Sequence, residues 1–300
     1  MEKQQKVDVY QLVTDRVLQQ LEHGVVPWRK SWVAAGIPRN AVTKRAYRGI
    51  NVWLLASLGY THNHFLTFKQ VKECGGKISK GQKSVPVVFW NWKEVTDDAT
   101  KEVKKIPFLR YYLVFNVEQC EDLPAYLFPE AIPARQHDTI EECEAVVQGI
   151  PNCPDINHRG NQPLYNPLQD SIEVPLPENF DSAEEYYSTL FHELVHATGH
   201  ESRLHRKGLL DMQELGADAY SFEELIAEMG ATYLNAITGI EEVVFENNVA
   251  YINGWMQQLK EDKKLLVQAA GKAQQAVDYL LNVPPLGKVA ESTSAEQMAE

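Results

Sequence analysis

Residues 191–200, FHELVHATGH, place two histidines four positions apart with a glutamate directly after the first. That spacing restricts the local fold. In a strand, His192 and His196 would stand about 13 Å apart. In an α-helix, i and i+4 lie one turn apart on a single face, so both rings can address one point. Zn²⁺ accepts imidazole nitrogen at about 2.0–2.1 Å. Glu193 is rotated by about 100° from His192, so it flanks such an ion without being forced to bind it. That is the place of a general base: zinc lowers the pKa of a bound water to about 7, and a neighbouring carboxylate takes the proton. Ser182 followed by Glu185 is a capping-box signal for the start of this helix.

The rest of the chain divides by charge. Residues 1–130 hold 19 Lys+Arg against 13 Asp+Glu, a balance of +6, and residues 131–300 hold 10 against 28, a balance of −18. Two units with different partners are therefore expected: domain one over 1–125, a linker with a short helix over 126–150, domain two over 151–284, and a disordered tail over 285–300. Tyr10, Val13, Val17 and Leu21 recur at helical spacing and predict a helix over 6–23, with shorter ones near 50–58 and 67–74. SVPVVFWNWKEV (84–95) and PFLRYYLVFNVEQC (107–120) read as a strand pair. SIEVPL (171–176) reads as an edge strand, because Pro175 has no N–H for a ladder. Further helices are expected at 138–148, 218–237, 245–262 and 263–282. The fold class is α+β, with a mostly helical second domain. The four cysteines form no CxxC pair, the N-terminus lacks a signal-peptide core, and no apolar run approaches the ~20 residues of a membrane span. A cytoplasmic protein without a membrane partner is expected.

A tetrahedral site with two histidines and a water needs one more ligand. Gly199 ends the helix before His200, and Ser202 stands where the HExxHxxGxxH pattern requires histidine, which excludes the metzincins. SFEELIAEMGATYL (221–234) carries Glu224 and Glu228 on one helix face. Its spacing resembles the second motif of glutamate-type zincins, which implies Glu224 as the third ligand. Glu228 would then hydrogen-bond a ligating histidine. Two alternatives stay open: reversed roles for the two acids, and a capping box between Ser221 and Glu224. An edge strand at 171–176 would align an extended peptide by β-addition, making peptide hydrolysis the reaction.

Residues 28–90 contain eleven Lys+Arg and a single acid, Glu73, interleaved with aromatic rings. Cations that track phosphates and exposed rings that stack on unpaired bases suit single-stranded nucleic acid, whereas a duplex offers no base faces. The candidate contacts are Trp28, Arg29, Lys30, Trp32, Arg45, Tyr47, Arg48, Lys69, Lys77, Lys80 and Lys83. Trp53, Phe65, Phe68 and Phe89 are expected in the core. GGKISKGQKS (75–84) is glycine-rich and cationic but lacks the spacing of a P-loop.

PWRKSW, Asn40, YRGIN (47–51), LTFKQVKECGGKISKGQK and YYLVFNVEQC resemble the N-terminal domain of ArdC-type antirestriction proteins. HELVHATGHESRL followed by YSFEELIAEMGA resembles that family's metallopeptidase-like domain. The resemblance spans about residues 7–282. It implies a single-stranded-DNA-binding domain joined to a zincin-like domain related to SprT-type proteases. It also implies a protein of mobile elements that shields incoming DNA from type I restriction, with Zn²⁺ or another divalent metal and a protein substrate on the DNA. The alternative is a binding module whose metal is structural or vestigial. Metal-dependent DNA cleavage is a third reading, against which the histidine pair argues, since nucleases favour carboxylate-rich sites.

Overall fold

In a computed structural model, residues 7–29, 36–96, 103–128, 139–206, 217–240 and 249–284 are described; the expected tail at 285–300 lies outside them. Helix α1 (Val9–Glu22) starts where the Asp8 carboxylate accepts the N–H groups of Tyr10 and Gln11, and it buries Val13, Val17 and Leu21. A four-stranded sheet follows, in the order β1 (Arg39–Asn40), β2 (His64–Thr67), β5 (Val103–Asn116), β4 (Val85–Thr96). The expected strand pair is the antiparallel β4–β5 ladder, running from Val85↔Val114 to Thr96↔Val103. Helix α2 (Ile50–Ala56) sets the Asn51 amide against the edge of β4, where it donates to Val88 O and accepts from Val88 N, both at 2.7 Å. Helix α3 (Phe68–Glu73) opens with a closed capping box between Thr67 and Gln70. Strands β3 (Lys77–Ile78) and β6 (Cys120–Glu121) form a separate ladder beside it.

Helix α4 (Thr139–Gln148) leads into a three-stranded sheet. There β9 (Ser171–Val174) lies between β7 (Asp155–His158), parallel to it, and β8 (Leu164–Asn166), antiparallel. The edge-strand expectation for SIEVPL is therefore corrected: β9 is central and ends at Val174, so Pro175 costs the ladder nothing, and the free edges belong to β7 and β8. Helix α5 (Ala183–Ala197) carries FHELVHA. Ser182 Oγ accepts the Glu185 N–H at 3.1 Å, while the Glu185 carboxylate takes the N–H of Asp181 rather than closing the box on Ser182. Helices α6 (Ala217–Thr238), α7 (Val249–Glu261) and α8 (Leu265–Leu280) complete the domain. Helices α5 and α6 approach closely. A Cβ at Gly230 of α6 would lie 2.7 Å from Val195 Cγ2, so only glycine admits this spacing.

The two halves share one apolar core. Trp28 and Trp53 belong to the same buried cluster as Leu225, Met229, Trp255 and Leu266. Trp28 meets Trp255 edge-on at 5.7 Å, and Trp53 meets Tyr233 at 6.2 Å. Helix α1 packs on α7 and α8, the turn Pro27–Arg29 on α6, and α2 on α8. Among the described residues no helix is long and apolar enough to cross a membrane.

Candidate metal centre and basic surface

Helix α5 brings His192 and His196 together as its spacing requires, with their Nε2 atoms 3.1 Å apart. Helix α6 supplies Glu224, with Oε2 3.4 Å from His192 Nε2 and Oε1 3.4 Å from His196 Nε2. A tetrahedral ion with bonds of 2.0–2.1 Å separates its donors by about 3.4 Å, so the three side chains already stand at the spacing of a divalent metal site. They are the group of ligand-type atoms that close within 4.8 Å of one another among the described residues. The Ser221 capping alternative is excluded, because α6 begins four residues earlier, at Ala217. Glu193 is buried on α5 beside the pair. Burial disfavours a charge on His196, but the carboxylates of Glu223 and Glu224 outweigh it and push its pKa up to about 9. Burial would likewise raise Glu224, yet the two imidazoles hold it well below the usual carboxylate range.

The carboxylate behind His196 is Glu223, not Glu228. Glu223 Oε1 lies 3.5 Å from His196 Nδ1 and accepts from the Arg206 guanidinium. Arg206 is itself buried and donates to Val195 O, His196 O and Thr198 Oγ1, the buried carbonyl end of α5 and its cap. One cation thus ties the end of α5 to α6 and fixes the carboxylate that lies nearest His196 Nδ1. The doublet EE at 223–224 and the second arginine of HESRLHR, Arg206, are the sequence signals for this pair. Glu228, one turn beyond Glu224, instead faces the N-terminal domain. It accepts from Trp28 Nε1 at 3.0 Å, from Arg29 Nη2 at 3.1 Å and from the Tyr251 hydroxyl, while the Arg29 guanidinium lies 3.8 Å over the Tyr251 ring.

Several expected nucleic-acid contacts are consequently corrected. Trp28 is 0% and Tyr47 1% exposed, so neither ring can stack on a base, and Arg29 is engaged by Glu228. Arg48, paired with Asp278 of α8, Lys69, paired with Glu73, and Lys77, paired with Glu121 and Asp122, stay exposed, and such surface pairs do not withhold a cation from a phosphate. Arg45, Lys80 and Lys83 are exposed; Lys30 and Trp32 lie outside the described residues. Trp53 and Phe65 are buried and Phe89 partly so, but Phe68 is 52% exposed, against the expectation that it is core.

Residues 7–115 match the family model for the N-terminal domain of anti-restriction factor ArdC, and residues 141–272 match that for a zincin-like metallopeptidase. The crystal structure of the antirestriction ArdC protein from plasmid R388, metal-free, is 38% identical, superimposes with a TM-score of 0.74, and is matched over 92% of this chain and 98% of its own. The chain belongs to the ArdC antirestriction family. The Mn(II)-bound structure of the same ArdC protein matches with a TM-score of 0.73 at 34% identity, over 94% of this chain and 100% of that one. An ArdC-like chain with a zincin-like domain is thus shown, and the Mn(II)-bound relative supports a divalent metal in this family. The chain is also 31% identical to a DNA primase TraC of Escherichia coli and 29% identical to the uncharacterized protein y4eC of Sinorhizobium fredii (strain NBRC 101917 / NGR234), each over 92% of its length. It spans about a quarter of the primase (27%) and 92% of y4eC.

Proposed function

We propose that this protein binds single-stranded DNA through its N-terminal domain (residues 1–125) and hydrolyses a protein bound to that DNA through its C-terminal one (151–284), shielding DNA that enters a cell's cytoplasm from type I restriction. The observation that carries the hydrolytic reading is the convergence of His192, His196 and Glu224 at metal-site spacing, with Glu193 beside them. We take the ion to be Zn²⁺. When bound, a divalent ion supplies Lewis acidity and makes a water easier to deprotonate. His192, His196 and Glu224 would hold it. Glu193 accepts a proton at its carboxylate and returns it to the leaving amine. Glu223 keeps His196 in the orientation that points Nε2 at the site. The DNA reading is supported by the charge balance of +6 over residues 1–130 and by relatives named DNA primase. The acidic second half would repel a strand and help to confine it to the first.

Metal analysis of the wild type, His192→Ala, Glu224→Ala and Glu193→Gln tests the centre. The first two variants are expected to lose the metal, whereas Glu193→Gln keeps about one equivalent yet loses hydrolysis and protection. Full protection by Glu193→Gln would leave a DNA-binding protein with a structural metal. For the DNA arm, affinity for single strands should fall by roughly 10³-fold between 50 and 200 mM salt if about six phosphates are contacted; a salt-independent affinity would refute it.

A further inference from the structure

Trp28 and Tyr47 are in the core and Trp32 lies outside the described residues, so the rings available to a single strand are sought on the described surface. Two lie exposed around one small apolar cluster of Ala41, Leu66, Val71, Val117 and Leu127. Phe68, the first residue of α3, is 52% exposed, and Tyr126, beside Leu127, is 69% exposed. The Tyr126 hydroxyl lies beside the thiol of Cys74, the C-cap of α3. The two rings therefore bracket one helix about 9 Å long.

Like Lys80 and Lys83, the cations near these rings have no carboxylate partner among the described residues, and they cluster on one surface. The Lys72 ammonium lies 4.6 Å from the Phe68 ring centroid, and Lys44 Nζ donates to Tyr126 O at 3.2 Å. Arg39 and Arg45 flank the same turn, and Arg39 donates to Lys44 O. Among the described residues no carboxylate pairs with Arg39, Lys44, Arg45 or Lys72, in contrast to Arg29, Arg48, Lys69 and Lys77. A buried amide network makes this surface rigid. Gln70 closes the capping box under Phe68 and accepts from Asn40 Nδ2 at 3.0 Å. Asn40 Oδ1 in turn accepts the N–H groups of Val42 and Thr43, which shapes the turn that carries Lys44 and Arg45.

We propose that Phe68 and Tyr126 are the stacking platform for two unpaired bases of a single strand, whose phosphates run along Lys72, Lys44, Arg45 and Arg39. This rests on the reading that the N-terminal domain binds single strands, and it names the place. Stacking is sequence-tolerant because every base has a π-face, and it excludes a duplex, whose faces are covered. Asn40 and Gln70 position the platform without touching the strand.

Fluorescence anisotropy on the full chain separates the two levels. The probes are a strand of about twenty thymidines, an abasic strand of equal length and a duplex. Phe68→Ala and Tyr126→Ala should each weaken thymidine-strand binding about 5- to 150-fold and leave abasic-strand binding unchanged. Lys72→Ala should weaken both strands alike. Phe68→Leu, which keeps apolar bulk without a π-face, should behave like Phe68→Ala, and thermal melts monitor folding. A wild type that ignores the thymidine strand overturns the single-strand reading as a whole. A wild type that binds it while both ring variants bind equally well overturns this placement alone, as does equal loss on the abasic strand.

Discussion

His196 Nε2 faces His192 and Glu224, and its buried Nδ1 lies 3.5 Å from Glu223 Oε1 without a hydrogen bond. Its pKa is raised from 6.5 to about 9 in the metal-free fold. The linked stability is therefore complete below about 6.5 and lost as pH rises through 9. Glu223 and Glu224 are shifted down, so their contribution is present above their ordinary value and lost as pH falls below it. Thermal melts in chelator should show a stability maximum between these limits that falls toward pH 9, and saturating metal should remove that fall. Metal uptake near pH 7 should release a proton, which calorimetry in buffers of different ionisation enthalpy measures directly. Arg206→Met would leave the Glu223 carboxylate buried without its cation and should cost roughly 3–5 kcal/mol in urea unfolding. His192, Glu193 and His196 were legible in the sequence because helical periodicity alone sets them side by side, whereas Glu224, on another helix, was reached only through the resemblance of its segment to the second motif of glutamate-type zincins. Glu223 was not, since its role depends on where Arg206 returns after α5 ends. The burial of Trp28 was hidden for a similar reason: a tryptophan among cations reads as exposed until α6 is known to cover it.

Helix contact sets the metal geometry at the next scale. Gly230 lets α6 approach α5 against Val195, and that approach carries Glu224 toward the histidines. Gly230→Ala would gain intrinsic helix propensity of about 0.8–1.0 kcal/mol, yet its Cβ must displace Val195. Net destabilisation and at least about ten-fold weaker metal binding are expected, read by denaturant melts and competition with a chromogenic chelator. Asn51 is the comparable device in the other domain, since its amide stands in for a missing neighbour strand at Val88. Asn51→Leu leaves a buried N–H and C=O unpaired and should cost about 2–5 kcal/mol. Helices α1, α2, α3 and α5 and the β4–β5 pair were readable from periodicity and caps. The place of β9 was not, because pairing partners are set by topology, and a proline after a strand resembles a proline within one.

The charge division suggested two units with different partners, and the two domains pack against each other through a shared core. PWR docks on Glu228 and Tyr251, Arg48 and Gly49 dock on Asp278 and Gln274 of α8, and Thr14 donates to Lys263 O at 3.1 Å. Opposite net charges on the two halves favour this union rather than separate fates. Unfolding of the metal-free chain should therefore be a single cooperative transition in calorimetry. A fragment ending near residue 130 should aggregate, because Trp28, Trp53 and Val17 would lose their covering; two resolved transitions would refute this. The shared core also constrains how such a chain can be inherited. Recombination between the halves would strand apolar surface on both products, whereas insertion of the whole leaves every internal contact in place. The match to the TraC primase is consistent with transfer of the whole: it takes in 92% of this chain and 27% of the longer polypeptide.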